Sequence, residues 1–596
     1  MSSGRPIVAA LLLGALTACE GRPRATGSGS QSHEARTGPW VAVLDLSDGL
    51  PEQASGGLLG LGSKVPTMGD FVREVERLEN DANARGIMVR LGTARIGLGR
   101  SVEVGALLGG LRAKMPVYCH ADDLANGTMY LAARGCSRVW VAPASSVDVI
   151  GIAAQTLYFH KLLAEEIGLS VDFLQVGRFK GAEEPFTRDG PSPEARASLE
   201  STLADLRGAW LEGLAKGRPA AGEGALEDGP YSAQAAKDRS LVDDVGYFDE
   251  AREALEKASG AVRSEVRLGA GAQDGVGGGL GQVLREIAGD SFTTAPVAVV
   301  HAVGAISMEG GGPLGGSGIV ESHLVRVLGR LEHDDDVRAV VLRIDSPGGS
   351  ALASDLLWHA LMQLRESKPL VVSIGDMAAS GGYYMASTGS VVFADPTSIV
   401  GSIGVVGGKI AADKALERIG VHSETFAARP DDAGAAARAA FESLLTPWDE
   451  PTKQRVFETM TSVYDLFLSR VAEGRKIAVE RVSTSAEGRI FGGRDAMARG
   501  LVDEMGGLED AIARARTLAR LPPDARAAGA EESSGIIQGL MGDDPPPDTR
   551  LSGEGRVLES IAPQIAPETA PFVGSLGGLL RGDGAACALP FVLTIR

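Results

Sequence analysis

The sequence is short of histidine, cysteine and lysine, and each shortage excludes something. Eight histidines are scattered through 596 residues, and no two are spaced as metal ligands. The four cysteines, Cys19, Cys119, Cys136 and Cys587, are too few for a disulfide scaffold and form no CxxC pair. A zinc ribbon and a thioredoxin-type motif are thus excluded, and neither a metal nor a cofactor is expected. Cys119 and Cys136 read equally well as a pair or as two buried thiols. Positive charge is also in deficit: 58 Lys and Arg against 77 Asp and Glu leave a net charge of −19. No basic stripe is available to meet phosphates, which argues against a nucleic-acid partner. Apolar residues, by contrast, make up 44% of the chain. That is enough to build sizeable cores, and the length predicts several folding units. Glycine is plentiful (80 residues) but follows no period of three, so a collagen-like chain is excluded.

The first residues read as an address. In MSSGRPIVAALLLGALTAC, Arg5 precedes an apolar run that ends in small residues. This is the layout of a secretory signal, too short to span a bilayer. Leu16-Thr17-Ala18-Cys19 resembles the lipobox of bacterial lipoproteins, which implies cleavage before Cys19 and its acylation. Several acyl chains on one cysteine would anchor the protein stably, where a single chain holds only marginally. The expected location is therefore a bacterial cell membrane, lipid-anchored, with the folded part on the periplasmic or extracytoplasmic side. Residues 1–18 form the signal and 19–38, rich in Gly and Ser, a flexible tether.

Beyond the tether the chain alternates strand and helix, twice over. Strands are expected at Trp40–Leu46, Gly86–Leu91 and Pro116–His120, with helices at Asp70–Asn80 and Val102–Arg112 between them. The same grammar returns with strands Pro296–Val303, Val337–Ile344 and Leu370–Ile374 and helices His323–Leu331 and Ala351–Arg365. Such alternation predicts an α/β fold with a largely parallel sheet. The halves also align. Ile87–Leu91 falls on Val340–Ile344, and Asp122, Asn126-Gly127 and Tyr130 fall on Asp376, Ser380-Gly381 and Tyr384. Ile150-Gly151 falls on Ile403-Gly404 at almost the same offset. A tandem duplication is the reading: an N-terminal repeat at 39–262, a Gly-rich linker at 263–293 and a C-terminal repeat at 294–520. A Pro/Gly-rich extension, 521–596, ends in the apolar segment Ala588–Ile595.

The chemistry concentrates around Asp376-Met-Ala-Ala-Ser380-Gly-Gly-Tyr-Tyr. A strand running into a serine, two glycines and a helix places a hydroxyl among free backbone N–H groups. Upstream, Asp345-Ser-Pro-Gly-Gly349-Ser350 ends one strand and opens the next helix. In a parallel sheet both turns open on the same carboxyl edge. The N–H groups of Gly349 and Gly381 are accordingly candidate donors to an oxyanion. A serine nucleophile needs a base, and after Ser380 the chain has one histidine, His422. Lysine is the other option, and only twelve lysines occur against forty-six arginines. Lys409 and Lys414 are placed at a helix start. Lys180 follows the strand Ser170–Val176 in Gly177-Arg-Phe-Lys180-Gly-Ala-Glu-Glu-Pro-Phe186. Taken alone, any one of these lysines reads as an ordinary solvated side chain.

These motifs together, DSPGGS (345–350), AASGGYYMA (378–386), TSIVGSIGV (397–405) and GRFKGAEEPFTRDGPSP (177–193), resemble the long, two-repeat bacterial signal peptide peptidases. The family, also called protease IV, consists of serine peptidases of the Clp/crotonase-like fold. The resemblance implies that Ser380 is the nucleophile, Lys180 the general base and Ser402 a lysine-orienting hydroxyl. It implies signal peptides and other apolar peptides as substrates, and a homotetramer as the assembly. The duplication supports the carry-over. Asn126 stands where the first half would hold its serine, and Val149 stands opposite Ser402. Asp432 falls about where the second half would hold a lysine. Each half keeps one member of the pair, so only a site built across both is complete. A lysine base must be uncharged, so the usual pKa near ~10.4 would have to fall by roughly 3–5 units through burial. Two rival readings share the motifs: a non-catalytic peptide-binding scaffold, and a crotonase-like acyl-CoA enzyme.

Overall fold

Short buried runs rich in Val, Ile and Ala form the strands, and amphipathic stretches form the helices that cover them. The computed structural model describes residues 38–53, 65–269, 295–308, 318–432 and 434–530, with the two-residue strand Ala586–Cys587. The signal, Cys19, nearly all of the tether and the segment Ala588–Ile595 lie outside the described residues. In the first repeat, Trp40–Asp45 is buried at every position and pairs in parallel with Ala84–Gly92. Val117–Ala121, Arg138–Val141 and Asp244–Val245 extend that sheet on one side. In the second repeat, Val297–Val303, Ala339–Ser346 and Leu370–Ala379 pair in parallel in the same order. Helix Met68–Asn80 starts at a capping box between Thr67 and Asp70 and buries Phe71, Val75 and Leu78.

Two expected boundaries are corrected. Arg263–Leu268, placed in the linker, is a strand pairing in parallel with Trp40–Asp45 at the edge of the first sheet. Ala527–Gly529, placed in the extension, does the same for Val297–Val303 in the second. Both are edge strands, whose partly solvated residues need not be apolar, so composition hid them. Lys409 is also corrected. It lies in the strand Val405–Ala411, not at a helix start, and its Nζ donates to the carbonyls of Ala440, Phe441 and Ser443. Cys119 and Cys136 are bonded to each other, with Cα atoms 5.9 Å apart. Among the described residues, no helix is long and apolar enough to cross a membrane.

The two repeats are joined in three ways. Ser170–Val176 of the first pairs antiparallel with Val405–Ala411 of the second over seven residue pairs. One buried apolar cluster runs from Val89 and Leu108 to Val299, Val341 and Ile512. Between them Arg343, wholly buried, holds Glu52 at 2.7 and 3.1 Å and Glu103 at 2.6 Å. Arg343 comes from the second repeat and both carboxyls from the first, so burying either partner requires the other. Arg343→Met leaves Glu103 without a counter-charge and Glu52 with the weaker partner His301 at 3.9 Å, at a cost of about 3–5 kcal/mol. The melting temperature of this variant is expected to fall. The deficit should shrink from pH 8 to pH 5, because orphaned buried carboxylates escape the penalty by taking up protons.

Candidate active site

Strand Leu370–Ala379 delivers Ser380 to the first turn of the short helix Gly381–Ala386. Ser380 adopts φ 55° and ψ −115°, a backbone conformation that side-chain-bearing residues avoid. Its surroundings hold it there: Ser380 N–H donates to Gly401 O at 2.7 Å, and Tyr384 N–H to Ser380 O at 2.9 Å. Below, the Tyr383 hydroxyl donates to Leu501 O and the Tyr384 hydroxyl to Asp355, each at 2.9 Å. Strain of this kind persists only where packing over-determines it, and it gathers at functional sites.

Lys180 arrives from the other repeat. The strand pairing Ser170–Val176 with Val405–Ala411 carries the chain to a tight turn whose Phe179 N–H donates to Glu487 O at 2.8 Å. The Lys180 side chain is fully buried, and its Nζ lies 2.7 Å from Ser380 Oγ. It also donates to Ser402 O at 2.9 Å and Ser402 Oγ at 3.0 Å. Ser402 shares the unusual φ of 55°, fixed by its N–H donating to Arg489 O at 2.5 Å. The structure thus brings Ser380, Lys180 and Ser402 together. His422, the one histidine after Ser380, lies exposed in a loop.

The glycine turns meet at the same point. A methyl group on Gly381 would come within 2.5 Å of Ser354 Oγ and 3.4 Å of Gly348 Cα, so the two turns adjoin. Gly349 pairs with Ile306, and its residue pair Gly349–Ser350 lies antiparallel to Ala586–Cys587. That short tail strand sits between Gly349–Ser350 and Val406, in a slot one extended chain wide. In the first repeat the corresponding place is closed. Asn126 donates from Nδ2 to Gly151 O at 2.8 Å and accepts from Ile150 N–H at 3.1 Å. The expected lipidation residue, Cys19, lies outside the described residues.

Residues 110–262 and 362–522 match the sequence model of peptidase family S49. The chain belongs to that family, and it is a serine peptidase. Protease 4 of Salmonella typhi is 30% identical over 528 residues, covering 83% of this chain and 80% of its own. The chloroplastic serine protease SPPA of Arabidopsis thaliana is 31% identical, over 66% of this chain and 57% of its own. A putative signal peptide peptidase SppA of Enterococcus faecium is 30% identical over 31% of this chain and 52% of its own. A solved ClpP1 variant from Listeria monocytogenes overlays 38% of this chain and 99% of its own at TM-score 0.24 and 13% identity, too slight a likeness to argue from.

Some parts of this S49 peptidase's site were missed in sequence. The Ser402 carbonyl is one, because a backbone acceptor leaves no mark on residue identity. The turn Glu487-Gly488-Arg489 is another, lying more than 300 residues from the lysine it supports. Gly488 has φ +84°, and a Cβ there would stand 2.5 Å from the Lys180 backbone. Gly488→Ala is therefore expected to displace Lys180 and lower peptide turnover about tenfold or more without unfolding the chain, as read by kinetics beside circular dichroism. Glu183, three residues after Lys180, is also buried, and desolvation pushes its carboxyl up to about 8. A raised carboxyl penalises the folded state progressively as pH climbs from its unfolded value near 4.5 to about 8. Glu183→Gln is thus expected to melt higher than the parent at pH 8–9 and equally at pH 4.5.

Proposed function

We propose that the chain is a membrane-tethered serine endopeptidase in which Ser380 and Lys180 form the catalytic dyad. Its substrates in this reading are cleaved signal peptides and other apolar peptides. The observation that carries the reading is the 2.7 Å approach of Lys180 Nζ to Ser380 Oγ across the two repeats, with Ser402 Oγ 3.0 Å from the same amine. Each repeat is read as one Clp/crotonase-like unit, in keeping with its parallel sheet and the nucleophile at a strand-to-helix turn.

Ser380 Oγ attacks the peptide carbonyl while its proton passes to Lys180 Nζ. The base must be an uncharged amine, and a site closed to water favours that form. Ser402 aims the amine through its hydroxyl and carbonyl oxygens. The N–H groups of Gly349 and Gly381 receive the oxyanion, a donation typically worth ~3–4 kcal/mol per group. Lys180 then returns the proton to the departing amine, leaving an acyl-enzyme. Next it takes a proton from water, whose hydroxyl attacks the ester, and returns that proton to Ser380 Oγ as the ester bond breaks.

Three features support an extended apolar substrate. The slot between Gly349–Ser350 and Val406 already accepts a strand from the chain itself, so a peptide can enter by strand addition. Beside it opens a cleft of about 540 Å³ lined by Leu352, Tyr384, Phe441, Val456, Met460 and Val463. The Enterococcus relative's name speaks of signal peptides. A lipid anchor at Cys19 would keep the enzyme where such peptides are released, on the extracytoplasmic side of a bacterial membrane. A homotetramer is the assembly we propose. Leu157, Leu162, Ile419, Val421 and Phe426 stay exposed and would be covered by neighbouring copies.

Ser380→Ala and Lys180→Ala are each expected to abolish hydrolysis of an apolar model peptide while the melting temperature stays near the parent's. A fluorophosphonate should label the parent at Ser380 and fail on both variants. Turnover should rise toward alkaline pH as the amine loses its proton. A rate undiminished at pH 5, or an unlabelled serine, would count against the dyad.

A further inference from the structure

The last strand before the nucleophile carries an irregularity that the dyad chemistry does not use. Ile344 pairs with Ile374, yet Ser346 pairs with Ala378, so the nucleophile strand holds extra residues at 375–377. Beyond them the strand pairs regularly again, with Met377, Ala378 and Ala379 opposite Ile399, Val400 and Gly401. A bulge like this re-aims whatever comes after it, here Ser380. Left unanchored, it could slip and move the hydroxyl by a residue's length.

The anchor is a carboxylate from the bulge seated on the other repeat. Helix Leu98–Arg112 of the first repeat begins at Gly97, which offers no side-chain cap. Its opening N–H groups are met instead by Asp376 Oδ1, at 2.9 Å from Gly99 N and 3.3 Å from Arg100 N. Arg100 closes on the second oxygen, with Nε at 2.8 Å and Nη2 at 2.6 Å, while its Nη1 donates to Leu50 O at 3.1 Å. A Cβ on Gly97 would collide with Asp376 Oδ2, so the approach depends on glycine there. A helix N-terminus and a bidentate guanidinium together hold a carboxylate in both position and direction. Across the bulge, Asp345 is half-buried, and desolvation with the nearby Asp376 charge pushes its carboxyl up to about 8, which weakens its competition for Arg100. In the first repeat the aligned residue, Asp122, is half exposed, and that repeat carries Asn126 in place of a nucleophile.

We propose that Asp376 and Arg100 are a positioning pair, which pins the bulge of the nucleophile strand to the lysine-bearing repeat and so sets Ser380 against Lys180 and the glycine turns. The inference rests on the dyad reading of Ser380 and Lys180. It is tested by steady-state kinetics and by the rate of fluorophosphonate labelling on the full chain. Asp376→Asn, which keeps the shape and loses the charge, should lower kcat about tenfold or more with KM within about threefold, and slow labelling to match. Arg100→Met should do the same, and Arg100→Lys should recover part of the loss. Arg516→Met breaks a different contact between the repeats, where the buried Arg516 donates to Glu76 at 2.9 Å and to Ala525 O at 2.9 Å. It should lower the melting temperature at least as much as Asp376→Asn yet leave kcat within about twofold.

Parent-like kcat and labelling in folded Asp376→Asn or Arg100→Met would overturn the proposal. So would a loss confined to KM, or an equal fall of kcat in Arg516→Met. Failure of the parent itself to label would remove the dyad reading, whereas a labelled parent with an indifferent Asp376→Asn removes only the pair's role.

Discussion

The structure turns on one contact: a fully buried amine from one repeat touching a hydroxyl from the other. A buried amine needs hydrogen-bond acceptors to hold it still. Ser402 supplies two of these, its carbonyl and its hydroxyl, from a strained turn that the neighbouring chain at Arg489 keeps in place. The site is therefore assembled from backbone geometry as much as from side chains. Ser380 and Ser402 both take left-handed φ angles, and both are tied by main-chain hydrogen bonds to segments remote in sequence.

Holding that contact constrains the joint between the repeats. The seven-pair antiparallel ladder leads directly into the Lys180 turn, and the Arg343 cluster and shared apolar cluster fix the sheets behind it. These elements act at different ranges. The apolar cluster supplies adhesion without direction. The ion pairs supply direction, because a buried carboxylate and guanidinium tolerate little misalignment. The two repeats differ at the matching positions: Ser380 of the second falls on Asn126 of the first, and Ser402 on Val149. Asn126 closes the first repeat's turn by hydrogen bonds to Gly151 and Ile150.

The alternation of strands and helices, the duplication and its pairing of positions were legible because buried apolar runs and glycine turns leave period and spacing in the residues. The turns at Gly349-Ser350 and Ser380-Gly381 were legible for the same reason, since a strand-to-helix turn with small residues is a local pattern. The edge strands Arg263–Leu268 and Ala527–Gly529 were not, being half solvated and compositionally like linkers. Lys409 was misplaced because its strand contains two glycines, a poor strand signal.

Residue identity and spacing alone determined that two like units are joined in tandem, that one offers a serine and the other a spare lysine, and that family motifs join them. Only the tertiary structure decided that the 200 residues separating Lys180 from Ser380 close to 2.7 Å. It alone decided that Asp376 reaches across to cap a helix, and that a turn at Glu487 seats Lys180. The reason is physical. Patterning records which face of an element is apolar, whereas distances between remote side chains depend on how those faces dock, and docking writes no local signature.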